Sequence, residues 1–299
     1  MHYTGTIWRP PYEASSLLIE VTAGCTHHKC KFCSLYDDLP FQFRMSPLKD
    51  IEADLAEIQT GLRSWPNQTV NRIYLTGANP FILKFERLKE IADLIHKYLP
   101  TCQTIGCFSR VTDITRKTDD ELRAMHQLGY DSITIGVETG DGESLSFMNK
   151  GYPPQEIITQ SLRLDAANIK YNYFYLTGIS GAGRGKIGAL ATAKIFNQTH
   201  PQIIGSSMLT ICPNSELFAE IQAGNWSEET ELEKLDELRT LIENLDIPVF
   251  FATLGASNAI FAQGQLPKDT NALITYLTKM CKTQNESDLQ QYRTNLKHL

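Results

Sequence analysis

No run of apolar residues in this 299-residue chain reaches the roughly 18 that a membrane-spanning helix needs, so no span is expected. Positive charge is also scarce: 28 Lys and Arg stand against 34 Asp and Glu, for a net charge of −6. A protein held to nucleic acid by a broad basic surface is therefore not expected. Met1 to Pro11 has no basic segment leading into an apolar one, so no export signal is expected and a cytoplasmic location follows. The seven cysteines are odd in number and clustered, which argues against a disulfide framework and for metal or redox chemistry. Gly181-Ala182-Gly183-Arg184-Gly185 lacks the Gly-Lys-Ser/Thr ending of a phosphate-binding loop; it reads as a loop over a ligand site, with Arg184 as an anion contact of lower rank. No repeat or low-complexity tract occurs.

What is present is ordinary for a soluble globular protein: 42% hydrophobic and 21% charged residues. Short β-branched runs alternate with amphipathic stretches. Strands are predicted at 17–21, 71–76, 103–108, 132–138, 171–176 and 203–211, with a further one at 249–252. Helices are predicted between them. One begins at Ser46-Pro47 and carries Leu48, Ile51, Leu55 and Ile58 at helical spacing; another begins at Thr118-Asp119-Asp120-Glu121, which has the pattern of a capping box. Others cover about 82–98, 154–167, 186–198, 227–245 and 268–280, and residues 282–299 are expected to wrap the surface. Repeated βα units imply a parallel sheet with right-handed crossovers. A partial (β/α)6 barrel and an open doubly wound sheet both fit, and in both the ligand sits at the C-terminal ends of the strands. The unusual residues fall there. The cysteines follow the first strand, Thr76-Gly77-Ala78-Asn79-Pro80 the second, and Ser109-Arg110 the third; Glu138 ends the fourth, and Thr177-Gly178 ends the fifth.

The cysteine loop is Cys25-Thr26-His27-His28-Lys29-Cys30-Lys31-Phe32-Cys33, with the spacing Cys-x4-Cys-x2-Cys. One reading is a zinc tetrahedron completed by His27 or His28. Another is an iron–sulfur cluster with three protein thiolates and one iron left open to a chelating ligand. Cys102, Cys107, Cys212 and Cys281 lie too far along the chain to complete a four-thiolate motif, and Cys107 and Cys212 read as small buried residues. Tyr171, Tyr173 and Phe174 read as core and strand surface rather than as a base-stacking platform.

The loop resembles the cluster motif of the radical S-adenosylmethionine (SAM) superfamily, with Phe32 as the aromatic before the last cysteine and a first gap of four residues instead of three. The further motifs fall in the family's order. Their strand-4 region, Ile135 to Gly140 followed by Leu145 to Gly151, is similar to the subgroup of methylthiotransferases and elongator-type enzymes. The resemblance covers roughly residues 14–215. It implies a partial (β/α)6 TIM-type barrel with an α-rich C-terminal extension, divided as a lead-in at 1–16, a core at 17–215 and an extension at 216–299. It also implies a [4Fe-4S] cluster on Cys25, Cys30 and Cys33, and SAM contacts from Phe32, Thr76, Gly77, Ala78, Asn79, Ser109, Arg110, Glu138 and Thr177. The implied activity is reductive cleavage of SAM to a 5′-deoxyadenosyl radical that takes hydrogen from a substrate, a small molecule or a tetrapyrrole-like one. A flavodoxin or ferredoxin would supply the electron. Neither a cobalamin domain before the loop nor a large RNA-binding module after the core is expected, which disfavours cobalamin-dependent methylation and makes tRNA modification a lesser alternative. A structural zinc or iron–sulfur loop without catalysis, and a tRNA- or protein-modifying radical enzyme, are the alternatives.

Overall fold

Strands form where β-branched and aromatic residues recur, and those from Arg72–Thr76 through Ile203–Met208 are each followed by a helix. A computed structural model describes residues 1–64 and 68–296. They form two compact units. The first comprises Met1–His28, Leu35–Ile135 and Arg163–Tyr171; the second comprises Lys29–Ser34, Gly136–Leu162 and Asn172–Leu299.

In the first unit β1 (Leu17–Glu20) is followed by a short ribbon of β2 (Thr22–Gly24) and β3 (Phe43–Met45). Then come α1 (Leu48–Arg63), β4 (Arg72–Thr76), α2 (Phe85–Tyr98), β5 (Thr104–Ser109), α3 (Val111–Ile114), α4 (Asp119–Gln127) and the start of β6 (Ile133–Glu138). β1 pairs with β4, β4 with β5 and β5 with β6, all parallel. Ile19, Ile73, Leu75 and Ile105 of these strands are fully buried, as are Ile51 and Leu55 of α1 and Leu88, Ile91 and Ile95 of α2. The lead-in is tied to this sheet by Glu13, whose carboxylate pairs with Arg72 at 2.6 Å, and by Tyr12, whose hydroxyl lies 2.8 Å from that of Thr134.

In the second unit come α5 (Gly142–Phe147), most of α6 (Pro154–Ala166), β7 (Tyr171–Thr177), α7 (Gly185–Phe196), β8 (Ile203–Met208) and α8 (Glu216–Gln222). They are followed by α9 (Glu231–Glu243), β9 (Val249–Thr253), β10 (Gln263–Leu266), α10 (Thr270–Thr283) and α11 (Glu286–Thr294). β7 pairs with β8 and β8 with β9 in parallel, and β10 adds antiparallel to β9. The architecture is α/β with a mostly parallel sheet, as the alternation predicts. Tyr171 and Tyr173 are buried core, as their pattern predicts.

Several boundaries differ from the sequence reading. α1 starts one residue later because Pro47 takes an extended conformation (ψ 139°) as the N-cap. The sixth strand ends at Met208, not 211. The tail expected to wrap the surface forms α11, capped by Asn285. Its last three residues, 297–299, lie outside the described residues. No helix among the described residues is long and apolar enough to cross a membrane.

Candidate active site

The cysteine loop leaves the sheet through the β2–β3 ribbon. Thr22 pairs with Met45, Ala23 with Arg44 and Gly24 with Phe43, so the ribbon closes the base of a long loop. Gly24 has φ 78°, and a Cβ there would lie 2.2 Å from the carbonyl oxygen of Gln42, so only glycine fits. The next amide, that of Cys25, donates to the same Gln42 oxygen at 2.9 Å. None of the seven cysteines is paired in a disulfide; Cys25 and Cys30 are half-buried and Cys33 is exposed. Burial pushes the Cys107 thiol well up, so it stays protonated, as a small core residue would.

Asn79 ties this loop to two others within the first unit. Its side-chain amide donates to the Thr26 hydroxyl at 2.8 Å and to both oxygens of Asp113, at 3.2 and 3.1 Å. Asp113 also accepts from the Arg110 amide at 2.7 Å. Burial raises Asp113 to about 6, against the pull of these donors. Asn79 was expected from sequence; Asp113 was not, and nothing in its neighbourhood marks it.

Gly77 lies at the end of β4 with φ 133°, and a Cβ on it would come within 1.9 Å of the Thr22 hydroxyl. Thr22, Thr76, Gly77 and Trp8 line a small cavity of about 20 Å³ in the first unit. The hydroxyls of Thr22 and Thr76 and the indole N–H of Trp8 are buried without a hydrogen-bond partner among the described residues. Orphaned polar atoms around one cavity mark a place where a polar group binds. Ala78 beside it is half-buried. Ser109 is buried and donates to the Arg110 carbonyl at 2.9 Å, and the Arg110 guanidinium donates to Thr112 at 3.0 Å.

In the second unit Glu138 has φ 67° and pairs with Lys150 at 3.2 Å. Lys150 is buried; it donates to the Gly136 carbonyl at 3.0 Å and sits 5.8 Å from the Phe32 ring centroid. A glutamate ending an apolar strand is thus paired, as its position requires. The Thr177 hydroxyl is buried against that of Ser206 at 2.6 Å, and the next amide, Gly178, donates to Glu237 at 2.7 Å. Arg184 pairs with Glu143 at 2.8 Å and with Asp141 at 3.4 Å. In the first unit, His28 meets Asp37 at 3.1 Å.

The radical SAM superfamily matches residues 19–190, more than half of the chain. The chain belongs to the radical SAM superfamily. Its members are enzymes, and membership brings the [4Fe-4S] cluster and S-adenosylmethionine as cofactors. The heme chaperone HemW of Buchnera aphidicola (subspecies Acyrthosiphon pisum) is 22% identical over 191 residues, 64% of this chain and 50% of its own. The chain thus spans about half the length of the curated relatives it matches. Coproporphyrinogen III oxidase (HemN) from Escherichia coli, a radical SAM enzyme, is 16% identical with a TM-score of 0.57, over 76% of this chain and 51% of that one. The radical SAM methyltransferase TsrM from Kitasatospora setae, solved with cobalamin and a [4Fe-4S] cluster bound, gives a TM-score of 0.57 at 15% identity, over 70% of this chain and 39% of that one. These likenesses show the fold, the partial barrel of the radical SAM type.

The residues of this radical SAM chain fit the cluster by the chemistry of their donors. Three cysteines lie within nine residues on a strand-end loop, outside any disulfide and none of them fully buried. No group of three or more His, Cys, Asp or Glu side chains among the described residues is drawn together as a cage. A cluster assembled on such an arc orders its own ligands.

Proposed function

We propose that this chain is a radical SAM enzyme holding its cluster through Cys25, Cys30 and Cys33 and acting on a tetrapyrrole-like substrate. The observation that carries the reading is the set of three cysteines outside any disulfide at the end of the first βα strand, in a chain that belongs to this superfamily. Held by Cys25, Cys30 and Cys33, a reduced cluster would supply the electron for cleaving SAM to methionine and a 5′-deoxyadenosyl radical. The chain's own residues bind, orient and exclude water. The cavity beside Gly77, with the unpartnered hydroxyls of Thr22 and Thr76, would take the polar end of SAM. Asn79 and Asp113 would hold the first part of the cysteine loop against the loops that follow β4 and β5. Arg110 would meet the SAM carboxylate, for which a guanidinium is suited. Glu138 and Phe32 would line the adenosine side, and a flavodoxin or ferredoxin would deliver the electron. The likeness to a heme chaperone and to coproporphyrinogen III oxidase supports the tetrapyrrole class.

The heme chaperone also favours a second reading, in which the barrel carries heme instead of transforming a substrate. One experiment separates the two. The protein is purified and reconstituted without oxygen, iron and sulfide are assayed, and dithionite with SAM is added. Iron and sulfide near four of each per chain, with release of 5′-deoxyadenosine that rises when a porphyrinogen is supplied, is the expected result. Saturable heme binding with no such rise favours the carrier. Stoichiometric zinc and no iron after reconstitution overturns both. In Cys30→Ala, cluster retention and SAM cleavage should be lost; a variant that keeps its iron and sulfide would mean that the ligands are others.

A further inference from the structure

Lys31 lies between the second and third cysteines, and every polar group it has is engaged within the second unit. Its amide donates to the Met148 carbonyl at 3.2 Å, and its carbonyl accepts from the Leu217 amide at 2.8 Å. Its ammonium is hydrogen-bonded to Glu220, lies 3.6 Å from Glu216 and sits 4.5 Å from the Phe147 ring centroid. Leu217, Glu216 and Glu220 all belong to α8, a helix capped by Ser215 and lying beyond the segment that matches the superfamily. Phe32, the next residue, packs against Met148, Leu176, Ile179, Leu209 and Leu217. A partly exposed ion pair alone contributes about 1 kcal/mol or less. Here it is joined by two backbone hydrogen bonds and an apolar seat, all acting on one residue of the Cys30–Cys33 arc.

We propose that α8 is a clasp on the cysteine loop, with Lys31 as the positioning residue through which it holds Cys30 and Cys33 for the cluster. The proposal rests on the reading of those cysteines as cluster ligands. Outer partners of metal ligands have this role generally, and their loss weakens metal retention by about 10- to 100-fold. The clasp makes retention depend on a helix outside the matched core. It also leaves the Lys31 charge paired with Glu220. Both carboxylates pull the lysine up from its ordinary value, and Glu220 is pulled down in return.

The test uses the full chain, reconstituted without oxygen, and follows loss of cluster absorbance to an iron chelator. Lys31→Met and Glu220→Gln should lose iron up to about 5-fold faster than the parent, since they remove the ion pair and leave the backbone bonds and the Phe32 seat, while the urea midpoint of the unloaded protein stays within its error. Lys31→Arg keeps the charge and should restore the parent rate. The reduced cluster's electron paramagnetic resonance spectrum should change in Lys31→Met and return in Lys31→Arg. Parent-like iron loss in Lys31→Met, or loss in Lys31→Arg as fast as in Lys31→Met, overturns the clasp. Cys30→Ala, run beside them, tells the two failures apart. If that variant retains its iron, the ligand assignment has failed and the clasp falls with it; if it loses iron while Lys31→Met does not, only the clasp has failed.

Discussion

At Gly77 the backbone has no room for a side chain. Its φ of 133° is one that L-residues avoid, and an added Cβ would meet both the hydroxyl and the carbonyl of Thr22, at 1.9 and 2.6 Å. Gly77→Ala should therefore cost about 1–3 kcal/mol, with strain and overpacking acting together. Urea denaturation of the unloaded protein measures this, and a change inside the error would mean that the loop after β4 simply moves aside. Gly77, Glu138 and the three cysteines were legible because each residue type is out of place in its local pattern. Asp113 and Lys31 were not. An aspartate after a strand-end arginine and a lysine in a Cys-x2-Cys gap are unremarkable until Asn79 or Glu220 is folded against them.

Among the elements, α4 is the clearest case of a helix written locally. Thr118 accepts from the Glu121 amide at 3.1 Å, and Glu121 accepts in return from the Thr118 amide at 2.6 Å, the reciprocal box expected from Thr118-Asp119-Asp120-Glu121. Thr118→Ala should cost about 1 kcal/mol, seen as a lower denaturation midpoint. The long strands and helices were legible because a period of two or 3.6 shows over many residues. The ribbon of β2 and β3 was not, since two strands of three residues carry no period. α5, α8 and α11 were missed for a related reason. α5 and α8 are six and seven residues long, too short for a repeating apolar stripe, and they are held by capping Asp141 and Ser215. α11 has only Leu289 buried, so little in its composition separates it from a polar coil.

For the molecule as a whole, Asp113 is one of several buried carboxyls, with Glu229 and Glu237, that tie stability to acidity. Asp113 is held at about 6 when folded, against 3.8 for the free side chain. Between these values the folded chain keeps a proton that the unfolded chain has released, so stability falls as pH rises through the window. The span allows a loss of at most about 3 kcal/mol, since one pKa unit is about 1.36 kcal/mol. Asp113→Asn should flatten the dependence of unfolding free energy on pH between 4 and 6, relative to the parent, in urea titrations of the unloaded protein. An unchanged slope would assign the titration to another group.

The amino-acid sequence by itself determined the α/β alternation, the place of the cysteine loop after the first strand and the kinship with the radical SAM enzymes. These rest on spacing along the chain, where periodicity, glycine and cysteine leave a direct mark. The tertiary structure alone decided which residues hold that loop. Asn79 and Asp113 act on its first part, and Lys31 with α8 acts on its second. Such contacts join residues 34 to 189 positions apart, and they depend on burial and orientation that no local pattern encodes.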